Sequence, residues 1–559
     1  MQKPWIAAYQ AGVPAEINPD SYRSLIEIYD ETIQRYGNRI AFKNYGVNLT
    51  YRALDEHSKR LAAYFQTVWG LVPGDRIGLM MPNILQYPVT LFAAIRAGLV
   101  VVNINPQYTA AELKHLIQDS QASALIVVEN FAHVAQSVVQ DTSLKHIAVA
   151  RVGDLLGLKG CFMNCMLRYV KKVIPPYELP GAIPFKSMLR CAPSAFTPVV
   201  REPNDIALLQ YTSATTGAAK GAILTHRNLV ANVLQGSAWI SSMHFEEELD
   251  GAIVTALPLY HIFSFTANCL IFFRLGFKNL LITNPRDIQG FINTLKKEPF
   301  SAMTGANTLF NALLKNPGFA QLNFGRFRIT LGGGMAVQSA VAARWKEVTG
   351  VPLLEAYGLT EASPAVCINP LYCTEFNGTV GLPIPSTEIR LVNLEGNPVG
   401  VGEQGELWVR GPQVMRGYWN KPEETRKVIT EDGWLRTGDI AKMDAQGFIS
   451  IVDRIKDMII VSGFKVYPNE IEDVLAQCPG VHESAVVGAP YELTGERVIA
   501  FVVLRDPSVT KGDIIAHCRK SLTSYKVPKE IVFKEDLPKN NVGKVLRRML
   551  RDEAQKSVR

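Results

Sequence analysis

An α/β fold is what this sequence predicts, and three observations lead to it. Between Ser21 and about Val200, apolar residues at helical spacing alternate with short apolar runs, the rhythm of strands joined by packed helices. From Thr387 the rhythm changes to paired alternating runs separated by turn residues, which reads as β-hairpins. The chain has 559 residues, 47% hydrophobic and 19% charged, enough apolar material to bury two or more ordinary cores and too much for wholesale disorder.

Taken in order, Leu25, Ile28, Tyr29 and Ile33 recur at helical spacing, and Arg76–Leu79 and Leu125–Val128 read as strands. Leu280–Ile282 and Ile329–Leu331 continue the pattern. Glu388–Val392, a turn at Leu394–Asn397 and the run Gly405–Val409 mark a small β-rich subdomain over about 385–454. After a strand pair through Gly447–Val452, the charged stretch Asp453–Asp457 reads as a junction. The expected division is therefore 1–454 and 455–559, the second part carrying a helix near Pro468–Leu475, strands at Ser484–Val487 and Val498–Val503, and a basic tail. The sequence contains no internal repeat or low-complexity tract.

With 58 Lys+Arg against 51 Asp+Glu the net charge is +7. That surplus is spread without basic blocks, so no nucleic-acid partner is expected, while anionic ligands or an acidic membrane surface both suit it. Leu91–Val102, interrupted by Arg96, and Ala267–Phe273 fall short of the roughly 18–20 apolar residues of a spanning helix. The N-terminus lacks the basic-then-apolar order of a secretory signal, so cytoplasmic residence is the expectation. Eight scattered cysteines, Cys161 and Cys165 among them, have neither disulfide-framework nor zinc-site spacing and read as reduced thiols.

Chemistry concentrates first in Tyr211-Thr212-Ser213-Ala214-Thr215-Thr216-Gly217-Ala218-Ala219-Lys220-Gly221, a loop of hydroxyls, small residues and one lysine after the strand-like Ile206–Gln210. Small side chains let backbone N–H groups approach phosphate oxygens, hydroxyls donate hydrogen bonds, and a lysine adds a point charge. The loop is not a Walker A sequence, and by composition alone a plain Ser/Thr-rich surface loop fits it equally well. Gly332-Gly333-Gly334 lacks the full dinucleotide fingerprint and reads as a tight turn.

Farther on stand Tyr357-Gly358-Leu359-Thr360-Glu361, Gly433-Trp434-Leu435-Arg436-Thr437-Gly438-Asp439, Asp453-Arg454 and Pro538-Lys539-Asn540-Asn541-Val542-Gly543-Lys544-Val545. In this order and together with the Ser/Thr loop, the set resembles the adenylate-forming superfamily, and within it the bacterial long-chain fatty-acid–CoA ligases. The resemblance covers essentially the whole chain and is sharpest from about Leu208 to Arg548. It implies a large N-terminal adenylate-forming domain of two α/β subdomains plus the β-rich one, and a small mobile C-terminal α+β lid. The implied reaction joins a fatty acid to ATP as an acyl-adenylate with loss of pyrophosphate, after which the CoA thiol displaces AMP.

The same resemblance assigns roles. Lys544 matches the catalytic lysine that bridges carboxylate and α-phosphate, a preorganised charge whose loss typically costs roughly 3–4 kcal/mol. Thr212, Ser213, Thr215, Thr216 and Lys220 would surround the phosphates, and Glu361 with Thr212 would hold Mg²⁺. Asp439 would take the ribose hydroxyls with Arg454 beside it, and Lys456 would be the hinge. Tyr357, Gly358, Thr360, Gly333 and Gly334 would frame the nucleotide. In Pro258-Leu259-Tyr260-His261-Ile262-Phe263-Ser264-Phe265, His261 would sit near the carboxylate, while Tyr260, Phe265 and Gly334 would meet the acyl chain. Phe265 falls where some relatives place an aromatic gate, although aromatics beside Leu259 and Ile262 are as readily plain core. Gly463 would line the pantetheine path once the lid rotates.

Two features depart from the pattern or lie outside it. Ala214 stands where the family usually has Gly, costing about 1 kcal/mol or more if the site demands positive φ; Ala214→Gly is expected to preserve or raise ATP–pyrophosphate exchange. Leu155 through Ile174 is an amphipathic basic stretch ended by Pro175-Pro176, which suits either an anionic bilayer on the inner face of the cytoplasmic membrane or a helix docked on the protein's own core. Other readings on the same fold are acyl transfer to a carrier-protein thiol, a luciferase-like oxygenase, and a non-catalytic ligand-sensing relative. A homodimer is compatible with the sequence, which does not encode acyl chain length legibly, because one methylene shifts discrimination by only about 1–3 kcal/mol.

Overall fold

A computed structural model describes residues 3–212, 219–241, 251–393, 395–540 and 543–556. Two large sheets dominate. The first has nine strands, and its parallel core runs, in spatial order, Leu353–Gly358, Ile329–Gly332, Ala302–Gly305, Ala252–Thr255, Lys278–Leu281 and Ile40–Asn44. The second has eight, with Ile206–Tyr211, Val100–Asn103, Arg76–Met80, Ala124–Val128, His146–Ala150 and Ile183–Pro184 parallel and Gly221–Thr225 antiparallel beside Ile206–Tyr211. Their strands are near-continuous apolar runs such as Ala124–Val128, buried at every position, as a parallel sheet covered on both faces requires. The helices Tyr51–Thr67 and Gln86–Arg96 supply part of that cover; the second is buried at every residue.

A four-stranded antiparallel sheet follows, built from Glu388–Val392, Gly405–Arg410, Leu435–Met443 and Ile449–Arg454. On it the Arg390 guanidinium lies between the rings of Trp408 and Trp434, at 4.5 and 4.3 Å, a cation–π stack that covers two large aromatic faces. A five-stranded sheet then begins at Ile459–Val461 and includes the long pair Val481–Tyr491 and Gly495–Leu504, with helices Pro468–Ala476, Lys511–Ser521 and Arg547–Lys556.

The strands named from sequence are present. Of the charged stretch Asp453–Asp457, Asp453-Arg454 closes the strand Ile449–Arg454 and Ile455–Asp457 forms the 3-10 turn that follows. Asp453 is only 1% exposed, and its carboxylate accepts hydrogen bonds from the backbone N–H groups of Arg454 and Asn469, which offset part of the cost of burying the charge, although burial still raises its pKa. Of the expected turn Leu394–Asn397, Leu394 lies outside the described residues. All eight cysteines are unbridged, and among the described residues no helix is long and apolar enough to cross a membrane.

Candidate active site

The carboxyl ends of both parallel sheets face one another, and buried amides lock them together. Asn83, beyond the strand Arg76–Met80, donates to Thr255 O and Leu257 O at 2.9 and 3.0 Å and accepts from Leu259 N at 2.8 Å. Asn103 Nδ2 donates to Gln210 Oε1 at 3.1 Å, and Gln210 donates to Tyr260 O at 3.1 Å. The Tyr87 hydroxyl donates to Asn103 Oδ1 at 2.7 Å and lies 2.8 Å from Leu259 O. These groups fix the Pro258–His261 loop in position. The sequence carries a signal for them, a polar residue closing an apolar strand run, that was not read as functional.

His261 caps the short turn after that loop, its Nδ1 3.4 Å from Phe263 N. An acceptor role at Nδ1 leaves the proton on Nε2 in the neutral ring. Burial first, then the positive charge of Lys544, push the imidazole down to about 4. At neutral pH it is uncharged and able to donate toward an oxygen. Phe263 lies against Gly333, where an added Cβ would stand 3.0 Å from its ring and 3.1 Å from Ala356 O. Gly334 has φ +80°, a backbone state that glycine adopts without strain. Phe265 is 1% exposed within the main apolar core, so the aromatic against the glycine turn is Phe263, which the sequence reading passed over.

A second cluster forms at the edge of the four-stranded sheet. Asp439 pairs in register with Arg454 across the strands, their side chains 3.1 Å apart at Oδ1 and Nε. The Tyr357 hydroxyl donates to Asp439 Oδ2 at 2.6 Å. Asp439 is 4% exposed, and the carboxylate is thus held by a cation on one oxygen and a phenol on the other. Gly358 tolerates no side chain, since a Cβ there would stand 2.2 Å from Pro364 O, and Thr360 opens the 3-10 turn that carries Glu361.

Lys544 joins these groups from the C-terminal part. Its loop closes on itself: Asn540 N donates to Lys544 O at 2.8 Å, Lys544 N to Asn540 Oδ1 at 2.9 Å, and Leu546 N to Pro538 O at 2.8 Å. Gly543, with φ +82°, lies so near the helix Asn307–Leu314 that a Cβ would meet Thr308 Oγ1 at 2.2 Å. Arg547 anchors the same segment to Glu472 at 2.6 Å and to Asn469 at 2.7 Å. Burial pushes the Lys544 amine down to about 7, with Arg454, Lys456 and Arg547 adding to the effect and Asp439 opposing it. Lys456, in the connecting turn, is pushed down to about 8 by burial and Arg454.

Around the Ser/Thr loop the description is partial. Ser213, Ala214, Thr215 and Thr216 lie outside the described residues. Thr212 N donates to Lys220 O at 3.0 Å, and Lys220 itself is ion-paired to Glu424 at 2.6 Å with its amine 5.0 Å from the Tyr418 ring centre. Tyr418 in turn donates to Glu361 Oε1 at 2.7 Å. Tyr418 and Glu424, absent from the sequence reading, link the lysine to the carboxylate proposed for the metal. Gly463 is not brought to this centre: it occupies the tip of the turn between Ile459–Val461 and Phe464–Val466, with φ +83° and open space around it. A separate cleft, lined by Arg76, Arg201 and Arg416 beside Asn204, sits at the amino ends of the second sheet's strands, away from this chemistry.

Comparison with known proteins places this geometry. A family model described as AMP-binding enzyme matches residues 29–419, and one described as AMP-binding enzyme C-terminal domain matches 470–544. This chain belongs to the AMP-binding enzyme family. It is 53% identical over 561 residues to a long-chain-fatty-acid–CoA ligase of Escherichia coli O157:H7, covering 100% of this chain and 99% of that one. Its fold is similar to a crystal structure of an anthranilate CoA ligase in complex with anthranoyl-AMP, at TM-score 0.84 and 24% identity over 97% of this chain and 100% of the other. ATP-bound MatB from Rhodopseudomonas palustris gives 0.79 at 26% identity, over 96% of this chain and 100% of that one, and the apo form of the same enzyme gives 0.72.

Proposed function

We propose that this chain is a long-chain fatty acid:CoA ligase, AMP-forming, with ATP and CoA as co-substrates. The observation that carries the reading is the convergence of Lys544 with the Asp439–Arg454 pair and His261, in a chain similar over its full length to enzymes of that activity.

The chemistry follows from charge. A carboxylate attacking the α-phosphate brings two anions together, so the barrier falls if a fixed cation sits where negative charge accumulates. Lys544 supplies that cation from the lid, which residues 455–559 form and which turns about Lys456. Neutral His261 donates to the acyl carboxylate and orients it, with Tyr260, Phe265 and Gly334 on the acyl side. Asp439 accepts the ribose hydroxyls, and Arg454, 3.1 Å from its Oδ1, keeps the carboxylate aligned. Tyr357, Gly358, Thr360 and Gly333 frame the nucleotide, while Ser213, Thr215, Thr216 and Lys220 meet the phosphates.

Glu361 and Thr212, one carboxylate and one hydroxyl, would hold a magnesium ion shared with the nucleotide: oxygen ligands alone, few in number, suit an ion that keeps waters and takes the rest of its shell from phosphate oxygens. When bound it neutralises phosphate charge. The second half-reaction needs the lid to swing so that Gly463, now at an outer turn, comes to line the thiol's path. The cytoplasm is the proposed site of action.

The test is AMP release and thioester formation from ATP, Mg²⁺ and a series of fatty acids, with CoA or an acyl-carrier protein as acceptor. AMP release matched by acyl-CoA supports the ligase. Acylation of the carrier protein alone would replace it with the carrier-transfer reading, and nucleotide binding without AMP release would replace it with a sensor.

A further inference from the structure

Lys220, the one lysine of the Ser/Thr loop, already has an anionic partner. Its amine lies 2.6 Å from Glu424 Oε2 and 5.0 Å from the centre of the Tyr418 ring. The other oxygen of the same carboxylate, Oε1, is 2.5 Å from the Lys427 amine. One carboxylate therefore sits between two cations, one from the candidate phosphate loop and one from the outer surface, the Lys427 side chain being 68% exposed against 29% for Lys220.

The backbone fixes where Glu424 stands. The strand Gly417–Tyr418 runs antiparallel to Gly221–Thr225, with Tyr418 opposite Ala222, and Trp419 N donates to Gly221 O at 2.8 Å. Lys220 immediately precedes that partner strand, so its side chain leaves beside Tyr418. The helix Pro422–Val428 then begins with proline, which suits a first helical position. Thr425 Oγ1 accepts from Tyr418 N at 2.9 Å and donates to Lys421 O at 3.0 Å, and a Cβ on Gly417 would stand 2.8 Å from Thr425 Cγ2. The first turn is thus clamped to the strand, with Glu424 next to the clamp. Glu423, its neighbour in that turn, is paired with Arg426 instead. Hydrogen bonds from Lys220 first, then Lys427, hold the Glu424 carboxyl down to about 2, so it is charged at any working pH.

Exchange of partners follows from electrostatics. An ammonium binds phosphate as a point charge with freely turning donors, so a triphosphate entering the loop competes with Glu424 for the same amine. A carboxylate left alone beside that triphosphate would repel it; Lys427, already on the other oxygen, covers the charge. The event takes place beside Glu361, which accepts from the Tyr418 hydroxyl at 2.7 Å. One tyrosine thus holds the lysine by its ring and the candidate magnesium ligand by its hydroxyl. Resting on the ligase reading, we infer that Glu424 is a positioning residue for Lys220: it yields the amine to the incoming triphosphate, pairs with Lys427 in the interval, and takes the amine back as pyrophosphate leaves. Its carboxylate weakens binding of nucleotide and pyrophosphate alike, and so keeps the first half-reaction from stalling on its own product.

Two substitutions pull in opposite directions. Glu424→Gln removes the competitor, so the KM for MgATP and the inhibition constant of pyrophosphate are both expected to fall by about two- to fivefold, the range of a partly exposed ion pair. Lys427→Ala removes the stand-in cation, so both constants are expected to rise by a similar factor, and the double variant is expected to behave as Glu424→Gln does. The KM values for fatty acid and CoA are expected to stay at wild type. A purely structural role would move both single variants the same way. Calorimetric titration of the full chain and its variants with magnesium pyrophosphate reads the exchange without turnover, with tighter binding expected in Glu424→Gln and weaker in Lys427→Ala. A wild type that makes no acyl-CoA would strike the ligase reading and leave this titration to decide the exchange. Unchanged or weaker pyrophosphate binding in Glu424→Gln, or a shift of the same sign in Lys427→Ala, would overturn the proposal.

Discussion

At the scale of single residues, the decisive quantity is where the Lys544 proton resides. Without nucleotide, burial and three neighbouring cations hold the amine down to about 7, so a large fraction is neutral at pH 8. Polyphosphate beside it favours the charged form and raises the value. Between the lowered value of the free enzyme and the raised value of the complex, ATP binding must take up a proton. Calorimetry at pH 8 in buffers of different ionisation enthalpy is expected to show net uptake, diminished in Lys544→Ala. A separate expectation concerns Asp439: because a hydrogen bond to a charged group is worth roughly 1.5–3 kcal/mol, Asp439→Asn should raise the KM for ATP by about 10- to 100-fold. Tyr357→Phe, which removes only the phenol that holds Oδ2, should have the smaller effect in the same assay. Lys544, Asp439 and Arg454 were picked out by the resemblance of their motifs to a family; taken singly, each would have read as an ordinary surface charge. Tyr418 and Glu424 were not, because their roles come from pairing with Glu361 and Lys220, 57 and 204 positions away.

At the scale of elements, the Lys544 loop works only if its tip reaches the helix Asn307–Leu314. Gly543 combines φ +82° with a hypothetical Cβ 2.2 Å from Thr308 Oγ1, so alanine there meets backbone strain of about 1 kcal/mol or more and a collision. Gly543→Ala is expected to slow ATP–pyrophosphate exchange by about tenfold or more and to spare thioester formation from preformed acyl-adenylate. Adding Thr308→Ala should restore part of the exchange rate, the coupling expected of residues in contact. The parallel strands were readable because strands covered on both faces must be apolar almost throughout. That the charged Asp453-Arg454 pair would close a strand was not legible, since sequence alone does not reveal the backbone N–H groups that meet the Asp453 carboxylate. For the 155–174 segment, its amphipathic pattern was visible but the exposure of Leu158, Phe162 and Tyr169 was not, since that depends on Glu129 and the Gly153–Gly160 approach.

At the scale of the whole molecule, two largely parallel sheets meet at their carboxyl ends, and a C-terminal unit leans over them. In open α/β sheets ligands gather outside the carboxyl ends of the strands, and here the amide lattice of Asn83, Asn103 and Gln210 makes that end a single surface. The C-terminal unit touches it through Gly543 against Thr308 and through Lys315, whose amine is 2.9 Å from a ring nitrogen of His482. Sequence could supply both units and their order, but the lid's placement depends on a few contacts between residues hundreds of positions apart. The most direct measurement is the effect of Lys544→Ala on the two half-reactions assayed separately. ATP–pyrophosphate exchange is predicted to fall by two to three orders of magnitude, roughly 3–4 kcal/mol, while preformed acyl-adenylate is still converted to acyl-CoA at a rate close to wild type. Equal loss in both assays, or an exchange rate that survives the substitution, would contradict the role given to this lysine.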